Sequence, residues 1–351
     1  MTVLPQEVGG SSAGMPCTIR GHRPRYGGAM LAPGLSMLWE STDPVIALRE
    51  RFGFTALEDA AVWVAAALAE TWDVTVRSCP RLVISDHNAI VWVDGDHGDL
   101  VLKWSRARER FPALESSTRL LSAVAALGVP VAAPLPARDG RVRVGLEGPS
   151  GPLSAALLPE VSGQWLDVAD LAAVRSAGST LAQLHAALRS LEHGSSVMVS
   201  QAPTTVEDPA RRLGRWIIES DRGLAPEASR SLAQRLTDAP PLETEQQLVH
   251  HDYRAANILV RDSTVVGVLD LDEIEPAHRV DDLARASVYL ATRFTDWGPT
   301  PRSARTALRE GYESVQPLSE VEKRWLEILT LWYGIAAIPQ GEGREAWTDA
   351  L

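Results

Sequence analysis

The stretch that decides the fold of this 351-residue chain reads HHDYRAANILV from His250 to Val260 and ends in VVGVLD at Asp270. It places a carboxylate at Asp252, a carboxamide five residues later at Asn257, and a second carboxylate at Asp270. The hydrophobic residues between the last two predict a pair of short strands joined by a turn. Three oxygen donors on connected backbone at one sheet edge suit Mg²⁺, which prefers oxygen ligands.

The same three residue types meet the needs of phosphoryl transfer. That reaction requires an Asp to orient the attacking hydroxyl, and an Asn and an Asp to hold metal on the phosphates. A lysine is also available on a strand. The chain has 34 basic residues, of which we count only two lysines, Lys103 and Lys323. A lysine retained among so many arginines indicates a place where a compact ammonium is required.

The pattern H-x-D-x-x-x-x-N followed by a strand ending in Asp270 resembles the catalytic core of the aminoglycoside phosphotransferase and choline kinase superfamily, relatives of the protein kinases. Other parts occur in the same order. They are Val101-Leu102-Lys103 on the third strand, Leu181 to His185 in a helix, and Asp282-Leu283-Ala284 after the second carboxylate. The resemblance covers roughly residues 82–333.

This resemblance implies the role of each site residue. Asp252 would be the catalytic base, Asn257 and Asp270 would bind Mg²⁺, and the Lys103 ammonium would lie on the α- and β-phosphates of ATP or GTP. The further nucleotide-binding residues implied are Ser85 and Asn88 in the loop that covers the phosphates, Glu115 as the helix carboxylate that pairs with Lys103, and Leu158 and Glu160 in the hinge that meets the base.

Three residues near this core have mainly structural interpretations. His250 is expected to order the catalytic loop, and His185 is expected to be a core histidine with its hydrogen bonds satisfied. Asp282 is expected either to cap a helix N-terminus or to brace the loop. His251 stands where the family usually has glycine, although protein kinases place a large basic residue there.

Asp272, Glu273 and Glu275 form an acidic cluster beside the presumed cleft. They are candidate substrate contacts that would attract an ammonium group. Asp272 could alternatively contact a group that itself binds the metal. The other interpretation is an ordinary solvated surface.

Composition excludes several classes of protein. With 45 acidic residues the net charge is −11, which disfavours polyphosphate backbones, so no nucleic-acid partner is expected. The longest apolar run, residues 60–69, is too short for a bilayer, so we expect a cytoplasmic protein without a membrane partner. Cys17 and Cys79 fit neither a zinc site nor a disulfide framework.

The predicted fold class is α+β, with the two lobes of a protein-kinase-like fold. Residues 1–34 are expected to be a disordered leader. Residues 35–160 would form a nucleotide-binding lobe with a helical cap, a five-stranded antiparallel sheet and one helix. Residues 161–351 would form a mostly helical catalytic and substrate lobe.

The predicted function is that of a small-molecule kinase, a phosphotransferase with an alcohol group as acceptor. The acceptor would be an aminoglycoside-like or other cationic natural product, which implies antibiotic resistance. The segment Gly311 to Leu318 instead resembles the homoserine-kinase-like branch, whose acceptors are small metabolites. Two other classes compete: a non-catalytic nucleotide-binding pseudokinase, and a glycosyltransferase using Asp270-Leu271-Asp272 as a D-x-D motif.

Overall fold

The computed structural model describes residues 34–194, 207–295 and 297–351. The predicted leader lies outside these ranges except for its last residue. Gly34 begins the first strand, so the fold starts one residue earlier than predicted.

The N-terminal lobe is built on one six-stranded sheet with the strand order β1-β2-β3-β4-β6-β5. All neighbours are antiparallel except β1, which pairs parallel to β2. The sheet thus has one strand more than predicted, because two helices carry the chain from β1 back to the same end of the sheet. The elements are β1 (Gly34–Met37), α1 (Pro44–Phe52), α2 (Leu57–Trp72), β2 (Val76–Ser85), β3 (Asn88–Gly95), β4 (Gly98–Ser105), α3 (Phe111–Ala126), β5 (Val144–Gly148) and β6 (Gly151–Pro159).

Strand alternation divides this sheet into a core face and a cleft face. Leu102 and Trp104 of β4 are fully buried in a cluster with α1 and α2. Lys103 lies between them in sequence and so points to the opposite face. Helix α1 begins at this core because Asp43 accepts hydrogen bonds from two backbone N–H groups of its first turn, at 2.8 and 3.0 Å.

The C-terminal lobe is mostly helical. Its elements are β7 (Gln164–Trp165), α4 (Leu171–Gly194), α5 (Pro209–Glu219), α6 (Pro226–Thr237), β8 (Gln247–Val249), β9 (Ile258–Arg261), β10 (Thr264–Val268), β11 (Glu275–Ala277), α7 (Arg279–Tyr289), α8 (Arg302–Glu313), α9 (Glu320–Ala337) and α10 (Arg344–Asp349). The predicted β9–β10 hairpin is present. The predicted α+β architecture, with an antiparallel-rich sheet followed by a helical part, is confirmed.

Helix α3 connects the two lobes. It follows the N-terminal sheet in the chain, yet Leu120 and Val124 pack in the hydrophobic core of the C-terminal lobe. Within the described residues, no single helix has the length and apolar content to cross a membrane, although α1 and α2 pass that test as a bent pair.

Helices α4 and α8 approach each other closely at two glycines. A Cβ added to Gly178 would overlap the carbonyl oxygen of Leu308, and one added to Gly311 would overlap the carbonyl oxygen of Arg175. Backbone cannot move aside as a flexible side chain can. The spacing of this helix pair therefore depends on the absence of both side chains.

Gly311→Ala should destabilise the protein by about 1–3 kcal/mol through overpacking. Gly214→Ala on α5 is the matched control, since a Cβ there has open space. The control should be neutral or stabilising by up to about 1 kcal/mol, because alanine favours the helix. Urea denaturation of both variants measures the difference, and equal effects would contradict the close approach.

Candidate functional site

The loop after β8 holds Asp252 through two neighbours in sequence. The Asn257 side-chain amide donates to the Asp252 carbonyl and to its Oδ2, each at 2.8 Å. Arg254 Nε donates to both carboxylate oxygens, at 2.9 and 3.1 Å. Asp252 is therefore a fixed, half-buried acceptor able to orient a hydroxyl. Sequence reasoning missed Arg254, although its place two residues after Asp252 is a usable signal.

His250 orders this loop, as predicted. The Asp252 N–H donates to His250 Nδ1 at 3.2 Å, so Nε2 carries the proton and donates to the Leu269 carbonyl at 3.0 Å. The next residue, His251, adopts the left-handed conformation with φ 63°. This conformation favours glycine, and a side chain that adopts it at a functional loop is held there by its surroundings.

Asp282 holds the loop that contains Asp252 in place through its backbone. Its carboxylate accepts hydrogen bonds from the backbone N–H groups of His250 and His251, at 3.1 and 2.9 Å, and from His185 Nε2 at 2.9 Å. His185 Nδ1 lies 2.8 Å from the Tyr312 hydroxyl, so this histidine is the satisfied core residue that was predicted. Burial alone would raise the pKa of Asp282, but the hydrogen bond and charge of His185 lower it to about 2.

Lys103 joins the two lobes across the cleft. Its Nζ lies 2.7 Å from Asp270 Oδ1 and 2.6 Å from Asp272 Oδ2. Burial alone would lower the pKa of Lys103, but the two carboxylates outweigh burial and raise it, so the ammonium is fully charged. Asp270 presents its carboxylate from a left-handed backbone conformation, with φ 59°.

The predicted pair between Lys103 and Glu115 is wrong. Glu115 lies on the exposed side of α3 and pairs with Arg119 at 2.9 Å. The α3 side chain that faces the cleft is Ser117, whose Oγ donates to Asp272 Oδ1 at 3.2 Å. Both carboxylates that hold Lys103 thus come from the C-terminal lobe.

The carboxylates of the acidic cluster are engaged in contacts within the protein, although Glu275 itself is exposed. Burial alone would raise the pKa of Asp272, but the charges of Lys103, Arg143 and Arg110 lower it to about 2. Glu273 pairs with Arg110 at 3.0 Å, and Glu275 lies 3.0 Å from His251 Nδ1. Every one of the three predicted substrate carboxylates therefore has a basic partner within the protein.

A cavity of about 190 Å³ lies between the sheet and the loop. Lys103, Asn257 and Asp270 line one part of it, and Leu158 and Glu160 also line it. Two polar atoms of its lining, Glu160 Oε1 and Trp165 Nε1, are buried without a hydrogen-bond partner among the described residues. A bound molecule with polar edges would satisfy them.

Ser85 and Asn88 pair with each other at the β2–β3 turn. Strand alternation places them on the same sheet face as Lys103, one step closer to the turn. The lining of the described cavity does not include them. Their contact with phosphate stays a prediction.

The oxygens of Asp270 and Asn257 fit a Mg²⁺ ion whose other ligands come from the nucleotide and from water. Asp270 Oδ1 contacts Lys103, and Asn257 uses its amide nitrogen on Asp252, so Asp270 Oδ2 and Asn257 Oδ1 are the remaining oxygens. The described residues contain no group of three or more His, Cys, Asp or Glu suited to a metal. Two protein oxygens completed by phosphates and water are the usual surroundings of Mg²⁺ at nucleotides.

Comparison with known sequences identifies the family. The model of the phosphotransferase enzyme family, APH, matches residues 83–318. The chain therefore belongs to this family, which confirms the predicted resemblance and class. A homoserine kinase from Rhizobium johnstonii is 27% identical over 216 residues, covering 60% of this chain and 63% of that protein. The chain thus spans less than two thirds of this curated relative.

Solved structures share the fold at lower identity. A microcompartment-associated aminopropanol kinase is 22% identical with a TM-score of 0.55, covering 82% of this chain and 93% of that one. A macrolide 2′-phosphotransferase from Brachybacterium faecium is 20% identical with a TM-score of 0.53, covering 84% and 98%. These likenesses confirm the predicted two-lobed kinase-like fold.

Asp282→Asn should destabilise the protein by about 3–5 kcal/mol at neutral pH, because it removes one charge of a buried hydrogen-bonded network. The folded pKa of Asp282, about 2, lies below its ordinary value of 3.8, so its stabilisation is present above pH 4 and lost as pH falls towards 2. Urea denaturation midpoints of the wild type and of Asp282→Asn, measured between pH 7 and pH 3, test this loss of stabilisation. A difference that does not narrow in acid would contradict the ionised brace.

Proposed function

We propose that this protein transfers the γ-phosphate of ATP or GTP to a hydroxyl group of a small molecule. The observation that carries the proposal is the meeting of Lys103, Asp270 and Asn257 at one cavity, with Asp252 bonded directly to Asn257. A lone ammonium from one lobe and three oxygen-bearing side chains from the other are the groups that phosphoryl transfer uses.

Each residue has a role in this proposal. Lys103 holds the α- and β-phosphates, while Asp270 and Asn257 supply oxygens to Mg²⁺. When bound, the ion would neutralise charge on the phosphates. Asp252 accepts a hydrogen bond from the acceptor hydroxyl and directs its oxygen in line with the phosphorus. Positioning and fixed charges would supply most of the rate.

The base of the nucleotide is assigned to the apolar part of the cavity. Leu158 and Leu259 would contact its faces, and the unpartnered atoms of Glu160 and Trp165 would meet its polar edge and the ribose. Burial raises the pKa of Glu160, against the charge of Arg81. Comparing ADP release from ATP with GDP release from GTP identifies the preferred nucleotide.

The names of the relatives support two acceptor classes. The curated relative is a homoserine kinase, while one solved neighbour is a macrolide phosphotransferase. A small metabolite and an antibiotic-like natural product are therefore both candidates. Antibiotic resistance follows only from the second.

Asp252→Asn should lower kcat by about a hundredfold to ten-thousandfold, the usual contribution of a positioned general base. The matched control is Asp262→Asn in the β9–β10 turn, where φ is 49° and Asn is well tolerated. The control should keep full activity. The assay measures Mg²⁺-dependent ADP or GDP release with amino acids, amino alcohols, aminoglycosides and macrolides as acceptors.

Three results would contradict the proposal. Full activity of Asp252→Asn removes the catalytic assignment. Nucleotide binding without transfer to any acceptor favours a pseudokinase, and preference for a nucleotide sugar over ATP favours a glycosyltransferase.

Asp272→Asn should raise the KM for nucleotide by roughly tenfold to a hundredfold, because Lys103 loses a charge-assisted hydrogen bond that aims it. Glu115→Gln is the matched control and should leave this KM within about twofold, since an exposed ion pair contributes little. Steady-state kinetics at saturating Mg²⁺ measure both. The reverse order of effects would restore Glu115 as the partner of Lys103.

A further inference from the structure

The loop that carries Asp252 also carries a cation on the same face. Arg254 has an extended backbone, with φ −148° and ψ 167°, and in an extended segment alternate side chains share a side. Tyr253, between the two, is buried, and its hydroxyl donates to the Ala177 carbonyl at 2.8 Å inside the C-terminal lobe. The Arg254 side chain therefore leaves the backbone away from the lobe interior, on the side of Asp252.

Arg254 uses only part of its guanidinium within the protein. Its Nε donates to Asp252 Oδ1 and Oδ2, at 2.9 and 3.1 Å. No described residue accepts a hydrogen bond from its two terminal nitrogens, and neither nitrogen is enclosed, since the side chain is 14% exposed. The free N–H groups of a fixed positive charge thus lie beside the carboxylate proposed to orient the acceptor hydroxyl.

The transferred phosphoryl group has to come close to this guanidinium. A hydroxyl bound to Asp252 lies about 3 Å from the carboxylate, and its oxygen must approach the phosphorus to about 3–3.5 Å before reaction. The phosphorus is then within about 6–7 Å of a carboxylate that Arg254 contacts directly. Because the terminal nitrogens extend beyond Nε and the oxygens extend from the phosphorus, a hydrogen bond between them is within reach.

The two cations of the site serve different parts of the nucleotide. Lys103 is held by Asp270 and Asp272, at the cavity assigned to the nucleotide. Arg254 is held by Asp252, at the place assigned to the acceptor. During transfer the charge is spread over the three equatorial oxygens of the phosphoryl group, which lie between these two places. A cation on the acceptor side therefore meets the group as it leaves the nucleotide.

We propose that Arg254 is a catalytic residue that binds the transferred phosphoryl group, and that its charge is released for this contact when Asp252 accepts the hydroxyl proton. This inference rests on the proposed function. As the acceptor oxygen forms its bond to the γ-phosphorus, its proton passes to Asp252. The bond from phosphorus to the bridging oxygen breaks, and its electron pair stays on the diphosphate. Arg254 then faces a neutral carboxyl on one side and negative phosphoryl oxygens on the other.

This exchange of partners places the effect of Arg254 in the transition state. Before transfer the guanidinium is paired with Asp252, so it adds little to the binding of the nucleotide. During transfer it gains the phosphoryl oxygens, and an interaction that strengthens only in the transition state raises kcat rather than lowering KM.

Arg254→Met should lower kcat by roughly a hundredfold to ten-thousandfold and leave the KM for nucleotide within about threefold. Mg²⁺-dependent ADP or GDP release, with the acceptor that the wild type uses best, measures both. Arg254→Lys keeps the charge and should recover at least about tenfold of the lost kcat. The matched control is Arg309→Met on α8, which is exposed, pairs with Glu313 and should match the wild type. A kcat of Arg254→Met equal to that of the wild type would overturn the inference.

Aluminium fluoride with Mg²⁺ and ADP or GDP imitates the phosphoryl group in transfer, so it gives a readout that does not depend on turnover. Adding it should raise the Tm of the wild type above the value with the diphosphate alone. Arg254→Met should lose most of this increment while keeping the Tm shift caused by a non-hydrolysable triphosphate. Asp252→Asn should keep the increment, because its neutral side chain leaves the guanidinium free. The reverse order of the two variants would overturn the contact.

The remaining outcomes separate the inference from its alternatives. If Arg254 served only to keep Asp252 ionised, the activity of Arg254→Met would return as the pH rises, which would overturn a contact with phosphate. A purely structural role would weaken the Tm shifts from the triphosphate and from aluminium fluoride alike, with the same consequence. A wild type that transfers no phosphate removes the proposed function, and its fluoride increment still decides the contact of Arg254. Absence of both transfer and increment overturns both proposals.

Discussion

The contact of the Lys103 ammonium with Asp270 and Asp272 is the interaction on which the site depends. It is the point where a strand of the N-terminal sheet and the end of the β9–β10 hairpin meet directly. A buried charge without partners would be expensive, so the two halves of the cleft must approach until the ammonium is neutralised. The cavity exists because this contact sets the separation of its walls.

Much of this arrangement could be predicted from a few residues. The five-residue spacing of Asp252 and Asn257, and the strands leading to Asp270, are local features, and local features are what periodicity and turn chemistry report. The helices of the C-terminal lobe were predicted for the same reason. Helix Pro209–Glu219, for example, begins where Asp208 and Pro209 give strong start signals in the sequence.

The features that were not predicted from the sequence depend on contacts between segments far apart in the chain. The expected pair of Glu115 with Lys103 rested on a carboxylate in a helix, yet Arg119 four residues later already indicated a surface pair of i and i+4 residues. Lys103 pairs with Asp272 instead. This could be predicted only by knowing that α3 and the β10–β11 connection face each other, although Ser117 and Asp272 are 155 residues apart in the chain. The parallel strand β1 and the strands of two or three residues similarly depend on tertiary partners.

The brace under the loop has a consequence for the distant helix pair. Tyr312 follows Gly311 on α8 and reaches His185 on α4, which in turn bonds Asp282 and through it the backbone of His250 and His251. The distance between helices α4 and α8 therefore helps to set the position of the loop that contains Asp252. A methyl group added where the two helices cross would push them apart, and this chain of hydrogen bonds would pass the shift on to Asp252. Gly178 and Gly311 therefore affect the geometry of the site although they make no contact with it.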